Sequence, residues 1–148
     1  MIHRDVKPSN CFLDDDGRVK VGDFGLSKSL VSESQLTRTG AFLGTPQFSA
    51  REQIRGGKVD HRTDLFSAAA TLYYLIAGEA PIKGDPAAVI AQIVADDPPP
   101  LSDRCPGVPK SLCKVVARAL QKDPERRGRD VSEYRNALLP FSSRIFRS

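Results

Sequence analysis

The segment His3-Arg4-Asp5-Val6-Lys7-Pro8-Ser9-Asn10, followed thirteen positions after Asn10 by Asp23-Phe24-Gly25, constrains this chain more than any other feature. The intervening CFLDDDGRVKVG reads as a strand at Cys11 to Leu13, a turn at Asp14 to Gly17 and a strand at Arg18 to Gly22. A hairpin returns Asp23 towards Asn10, so the polar side chains of the two segments converge.

The residue types that converge suit one chemistry. A phosphoryl donor bound with magnesium needs oxygen ligands for a hard cation, which Asn10 and Asp23 can provide. A hydroxyl acceptor needs a carboxylate to orient it and take its proton, and the transferred group needs a cation to offset its charge. Asp5 and Lys7 fit those two roles.

With these motifs in this order, the chain resembles the C-terminal lobe of a eukaryotic-like Ser/Thr protein kinase of the kind widespread in bacteria. The resemblance runs over essentially the whole sequence. It implies a mainly α fold with a small β-hairpin carrying the catalytic loop and the Asp-Phe-Gly motif. It also implies ATP and Mg2+ as cofactors, with Asp5 as catalytic base, Lys7 on the transferred phosphate and Asn10 and Asp23 on the metal. Lys7 further points to Ser/Thr rather than Tyr acceptors in a protein substrate.

Later segments follow the same family order. GTPQFSARE, Gly44 to Glu52, resembles the close of an activation segment, in which Thr45 would bond to Asp5 and Lys7 and help seat the acceptor. Asp64 resembles the aspartate that opens the long central helix and bonds back to the catalytic-loop backbone. Arg127 resembles the arginine that pairs with Glu52, and such a buried pair loses about 3–5 kcal/mol when one member is removed. His3 and Phe24 resemble members of the packed column of side chains that links the two lobes.

Between Asp23 and Glu52 the stretch LSKSLVSESQLTRTGAF is polar, rich in hydroxyls and poor in apolar residues, a composition that favours a mobile loop. Arg4 offers a guanidinium fork for a phosphate on that loop. By position relative to Gly44, Thr37 and Thr39 resemble the family's autophosphorylation sites, and Ser27, Ser29, Ser32 and Ser34 are further hydroxyls in reach. The alternative is that these hydroxyls only keep the loop solvated.

Past the central helix the chain reads as helical. Asp85 to Asp97 sets Val89, Ile90, Ile93 and Val94 on one face, with Asp85 as cap and Pro86 in the first turn. Pro98 to Pro100 break that helix. Pro109 to Lys122 carries Leu112, Val115, Val116, Ala119 and Leu120 at helical spacing, and Asp130 caps a last short helix to Leu139. The domain reading is a partial kinase domain over 1–140, with the catalytic loop at 3–10, the activation segment at 23–52 and a helical subdomain at 60–140. Residues 141–148 read as a short tail.

Composition excludes several other classes. With 40% hydrophobic and 27% charged residues, the 148-residue chain fits one globular unit. Its longest apolar stretch, Ala68 to Ala77, is interrupted by Thr71 and suits a buried helix rather than a membrane span. The net charge of +4 is dispersed and lacks an interleaved aromatic pattern, so no nucleic-acid partner is expected. Cys11, Cys105 and Cys113 follow no metal spacing and, being odd in number, point to a reducing compartment. A cytoplasmic location is the expectation, with an anchor elsewhere in the gene left open. His61 reads as a surface residue, and Asp14 to Asp16 as a solvated turn, since no downstream glutamate completes a calcium loop.

Against the family pattern, the sequence holds no glycine-rich phosphate loop, no strand lysine for the nucleotide phosphates and no helix glutamate to pair with it. The N-terminal lobe and the helices that precede the catalytic loop are therefore expected to be absent. Three expectations follow: negligible phosphoryl transfer by this polypeptide alone, uncovered apolar residues such as Leu72, Leu75 and Ile76, and poor solubility. Smaller departures are Arg51 for the usual proline before Glu52, Ala69 for a glycine in the central helix and Ile82 for an aromatic residue after Pro81. A non-catalytic lobe that binds a partner or regulates a full kinase is the second class, and the product of a broken gene the third.

Overall fold

The computed structural model describes residues 1–22 and 46–145, with side chains as far as Ser142. The expectations for Asp23, Phe24, Thr37, Thr39, Thr45 and the serines between Ser27 and Ser34 fall outside the described residues.

A 3-10 turn at Pro8–Asn10 leads into β1 (Cys11–Leu13), which pairs antiparallel with β2 (Val19–Val21). The register is Cys11 to Val21, Phe12 to Lys20 and Leu13 to Val19. Asp14 builds the turn between them, because its Oδ1 accepts the backbone N–H groups of Asp16 at 3.0 Å and Arg18 at 2.8 Å. Gly17 completes it at φ 74°, a conformation that costs a residue without Cβ nothing.

After a second 3-10 turn at Pro46–Phe48 the chain is helical: α1 (Arg51–Arg55), α2 (His61–Ala77), α3 (Pro86–Ala95), α4 (Leu101–Arg104), α5 (Lys110–Ala119) and α6 (Val131–Ile145). The described part is thus mainly α with one small hairpin, the architecture expected of the kinase lobe.

Helix α2 is the axis of the core. Its cap is Asp60, whose Oδ1 accepts the N–H of Arg62 at 2.9 Å. That leaves Asp64, one turn inside the helix, with its carboxylate available for other partners. Leu65, Phe66, Ala69, Ala70 and Tyr73 of α2 are buried with Phe48, Leu101, Val116, Ala119 and Leu120. The alanines Ala69, Ala70 and Ala119 are fully buried, so small side chains fill the space between α2 and its neighbours. Ala69 therefore fits the position where the family carries glycine.

A second apolar cluster joins Ile54 of α1, Ile82, and Val89 and Ile93 of α3, with Ile90 and Val94 at its margin. Asp85 caps α3 by accepting the N–H of Ala88 at 3.1 Å, and Pro86 occupies its first turn. Ile82 thus does hydrophobic work where the family has an aromatic ring. The proline run that ends α3 is anchored by Tyr73, whose hydroxyl donates to the Pro99 carbonyl at 2.9 Å.

Two extents differ from the sequence reading. Helix α5 stops at Ala119 rather than Lys122, since the following residues turn to place carbonyls on Arg127. Helix α6, capped by Asp130 through the Glu133 N–H at 2.8 Å, continues past Leu139 and through Pro140 to Ile145. Residues 141–145, the start of the segment read as a short tail, are part of this helix. Proline forfeits a single backbone bond on an exposed face there, a local cost that the rest of the helix absorbs.

Candidate active site

The backbone of the loop that opens at His3 is held by α2. Asp64 Oδ2 accepts the N–H of His3 at 2.7 Å, and Asp64 Oδ1 accepts the N–H of Arg4 at 2.9 Å. One carboxylate thereby satisfies two successive backbone donors, a charge-assisted arrangement about twice as strong as neutral hydrogen bonds.

Arg4 adopts φ 70°, the only non-glycine residue with positive φ among the described residues. Such a conformation costs roughly 1–2 kcal/mol for a residue with Cβ and persists only where surroundings over-determine it. Asp64 fixes the Arg4 N–H, and Gln53 of α1 donates its Nε2 to the Arg4 carbonyl at 2.8 Å. Gln53 Oε1 in turn accepts the Ala50 N–H at 3.1 Å. Sequence reasoning missed Gln53, whose place three residues after the Ala50 cap of α1 was the available signal.

His3 is buried and joins the loop to the hairpin. Its Nδ1 accepts the N–H of Asp5 at 3.1 Å, which assigns the ring proton to Nε2. Nε2 then donates to the Gly22 carbonyl at 2.6 Å. Gly22 also gives its own N–H to the Asn10 carbonyl at 2.8 Å. The hairpin therefore brings Gly22, the residue before Asp23, against both His3 and Asn10.

Asp5, Lys7 and Asn10 form one cluster. Asn10 is 6% exposed and its Nδ2 donates to the Asp5 carbonyl at 2.8 Å and to Asp5 Oδ2 at 3.0 Å. With Nδ2 committed to Asp5, Oδ1 is the atom of this amide suited to a hard cation. Lys7 Nζ lies 3.6 Å from Asp5 Oδ2, and both side chains retain some exposure, 18% and 16%. The carboxylate is thus oriented by an amide and accompanied by a cation while remaining open to a reactant. Cys11 donates its thiol to the Lys7 carbonyl at 3.4 Å, and burial pushes that thiol up, away from the reactive thiolate form.

Apart from this cluster, Arg127 and Glu52 form a buried bidentate pair, Nη1 to Oε1 at 2.6 Å and Nη2 to Oε2 at 2.9 Å. Arg127 spends its remaining donors on the carbonyls of Gln121, Arg62 and Lys122 at 2.6, 3.1 and 2.9 Å. All five N–H groups of the guanidinium are then used. Thr63, also unnoticed in the sequence, adds a hydroxyl to Glu52 Oε1 at 2.8 Å. The ring of Phe66 lies 5.0 Å from the guanidinium carbon.

Of the residues singled out from sequence, the described structure brings together His3, Arg4, Asp5, Lys7, Asn10 and Asp64, and separately Glu52 and Arg127. His61 is exposed and bonds through Nε2 to the Arg129 carbonyl at 2.7 Å. Among the described residues no group of three or more His, Cys, Asp or Glu could hold a metal, and no helix is long and apolar enough to cross a membrane.

A sequence profile of the protein kinase domain matches residues 1–133, and the chain belongs to the protein kinase family. It is similar to the serine/threonine-protein kinase PknB of Mycobacterium leprae, 41% identical over 144 residues that make up 97% of this chain and 23% of that protein. PknB of Mycobacterium tuberculosis is 42% identical over 141 residues, 94% of this chain and 22% of the relative. PknL of the same species is 40% identical over 131 residues, 88% and 33%. The chain therefore spans a third or less of the length of these relatives. ATP and magnesium are the family's general cofactors.

Proposed function

We propose that this chain is the catalytic-lobe portion of an ATP-dependent Ser/Thr protein kinase. The observation that carries the reading is the Asp5 carboxylate, bonded at 3.0 Å to the Asn10 amide, 3.6 Å from the Lys7 ammonium and open to solvent. Asp5 orients the substrate hydroxyl and takes its proton, and Lys7 offsets charge on the transferred group. Asn10 and Asp23 would hold magnesium, which when bound neutralises phosphate charge. The committed Asn10 amide fits that assignment. Thr45 would seat the acceptor, and Thr37 and Thr39 would take the regulatory phosphates.

The 148-residue polypeptide by itself is proposed to transfer phosphate negligibly, because catalysis of this kind depends on positioning both reactants in a cleft and the sequence supplies one wall. The test is incorporation of labelled γ-phosphate from ATP into a Ser/Thr protein substrate by the purified chain. Background incorporation, equal in the Asp5→Asn variant, is expected; incorporation that vanishes with Asp5→Asn overturns the inactivity and keeps the kinase reading.

A second reading, a lobe that binds or regulates another protein, is favoured by one observation. A groove of about 540 Å³ runs between the hairpin and α2, lined by Val6, Phe12, Leu13, Val19, Leu72 and Leu75 among others. An apolar surface of this kind marks an interaction site more often than a free face.

A further inference from the structure

We infer that Gln53 is a positioning residue for Asp5: its side-chain amide fixes the peptide group between Arg4 and Asp5, and with it the direction of the Asp5 carboxylate. Nε2 of Gln53 donates to the Arg4 carbonyl at 2.8 Å, across 49 positions of sequence. The N–H of the same peptide group, that of Asp5, is accepted by His3 Nδ1 at 3.1 Å. A peptide group is planar, so holding its oxygen and its N–H at once fixes the plane and the Asp5 Cα that lies in it.

The clamp acts at a strained point. Arg4 sits at φ 70°, a conformation that a residue with a Cβ keeps only where its surroundings impose it. Asp64 accepts the N–H of Arg4 at 2.9 Å and Gln53 holds its carbonyl, so the two partners grip both backbone polar groups of one residue. The consequence is read one residue on, where the Asp5 carboxylate meets Asn10 Nδ2 at 3.0 Å and Lys7 Nζ at 3.6 Å. The Arg4 side chain has no part in this role.

The chemistry of residue 53 separates positioning from plain helix capping. Gln53 is buried, and its Oε1 accepts the Ala50 N–H at 3.1 Å from the third position of α1. A glutamate caps there equally well, because a carboxylate accepts that N–H too. Only an amide also donates, and here the donor goes to Arg4. Gln53 thereby ties the segment that ends at Ala50 to the residue before Asp5. The inference rests on the proposed kinase reading for what Asp5 does with the orientation it is given. In that reading the same segment seats the acceptor, so one amide aligns the base with the hydroxyl whose proton it takes.

The test uses Gln53→Glu, whose ionised carboxylate keeps the acceptor for Ala50 and loses the donor to Arg4, beside Gln53→Met, which loses both. In the purified chain, NMR resonances of the Arg4 and Asp5 backbone and of the Asn10 side-chain amide are expected to move in both variants, with the Ala50 N–H still protected from exchange in Gln53→Glu alone. Unmoved Asp5 and Asn10 resonances overturn the inference. Independently of how a variant folds, the Gln53 side-chain amide protons of the wild type are expected to exchange slowly, and fast exchange overturns it as well. With the preceding part of the Mycobacterium tuberculosis PknB kinase domain joined to Ile2, Gln53→Glu should lower kcat for transfer from ATP by about ten- to a hundredfold and leave KM for ATP unchanged, as for a misplaced base rather than lost binding. An unchanged kcat, or a change in KM alone, overturns the positioning role. A chimera indifferent to Asp5→Asn loses the kinase reading alone, and the resonances still decide whether Gln53 sets the direction of Asp5.

Discussion

Arg127 grips Glu52 with both terminal nitrogens, at 2.6 and 2.9 Å, while itself only 2% exposed. Its other donors meet three backbone carbonyls, so the pair joins α1, the start of α2 and the turns after α5 at one point. Arg127→Ala or Glu52→Ala should each cost about 3–5 kcal/mol, because either leaves a buried charge without its partner. The double variant Glu52→Leu with Arg127→Met should not recover that stability, since the carbonyls of Arg62, Gln121 and Lys122 then lose their donors. Urea unfolding midpoints check both statements, and a single-variant loss below about 1 kcal/mol would contradict them.

Asp64 serves two backbone donors at once, so changing one of its oxygens has a defined effect. Asp64→Asn turns an acceptor into a donor facing the N–H of His3 or Arg4 and removes the charge from both contacts. A loss of about 1–3 kcal/mol is expected, together with faster amide exchange at His3 and Arg4. Exchange unchanged at those two amides would mean that Asp64 does not hold the loop.

Tyr134 has a buried hydroxyl with no hydrogen-bond partner, and burial pushes its phenol well above the usual tyrosine range. Tyr134→Phe should therefore be neutral or stabilising by up to about 1 kcal/mol at pH 7. The sign with pH follows from the raised folded-state value. The stability tied to this group is present in full below the unfolded tyrosine value near 10 and is lost as pH rises from there through the folded value. Tyr73 is shifted the same way by burial and adds to the loss. Melting temperatures at pH 8 and pH 11 should fall further for the wild type than for Tyr134→Phe; equal falls would contradict the assignment.

Much of this fold was legible because the signals were local. The hairpin follows from its Asp14–Gly17 turn, and the caps at Asp85 and Asp130 from short polar side chains ahead of apolar periodicity. The cluster of Asp5, Lys7 and Asn10 was legible because all three lie within one short segment. What was not legible depends on contacts that cross the chain. The positive φ of Arg4 carries no glycine or asparagine signal; it is imposed by Asp64 and Gln53 from distant helices. Asp60 rather than Asp64 caps α2, a distinction that needs the position of the loop holding His3 and Arg4. The extension of α6 through Pro140 went against the usual reading of proline as a stop.

Exposure around the groove is uneven in a way the sequence did not show. Leu75 is 64% exposed, whereas Leu72 and Ile76 are partly buried against the main core. Phe12, Leu13 and Val19 on the hairpin are also exposed, at 56, 72 and 65%. Leu75→Glu should therefore reduce self-association while changing stability by no more than about 0.5 kcal/mol. Light scattering against concentration, paired with unfolding, separates the two effects; self-association unchanged by the charge would contradict a role for this face.

The central claim is that the chemistry of a Ser/Thr kinase resides on Asp5, Lys7 and Asn10 of this chain. The most direct measurement joins the preceding part of the Mycobacterium tuberculosis PknB kinase domain to Ile2 and assays phosphate transfer from ATP with magnesium to a Ser/Thr protein substrate. The account predicts transfer to Ser or Thr that falls by at least about a hundredfold on Asp5→Asn. A folded, ATP-binding chimera that transfers nothing, or one whose transfer is unchanged by Asp5→Asn, would contradict it.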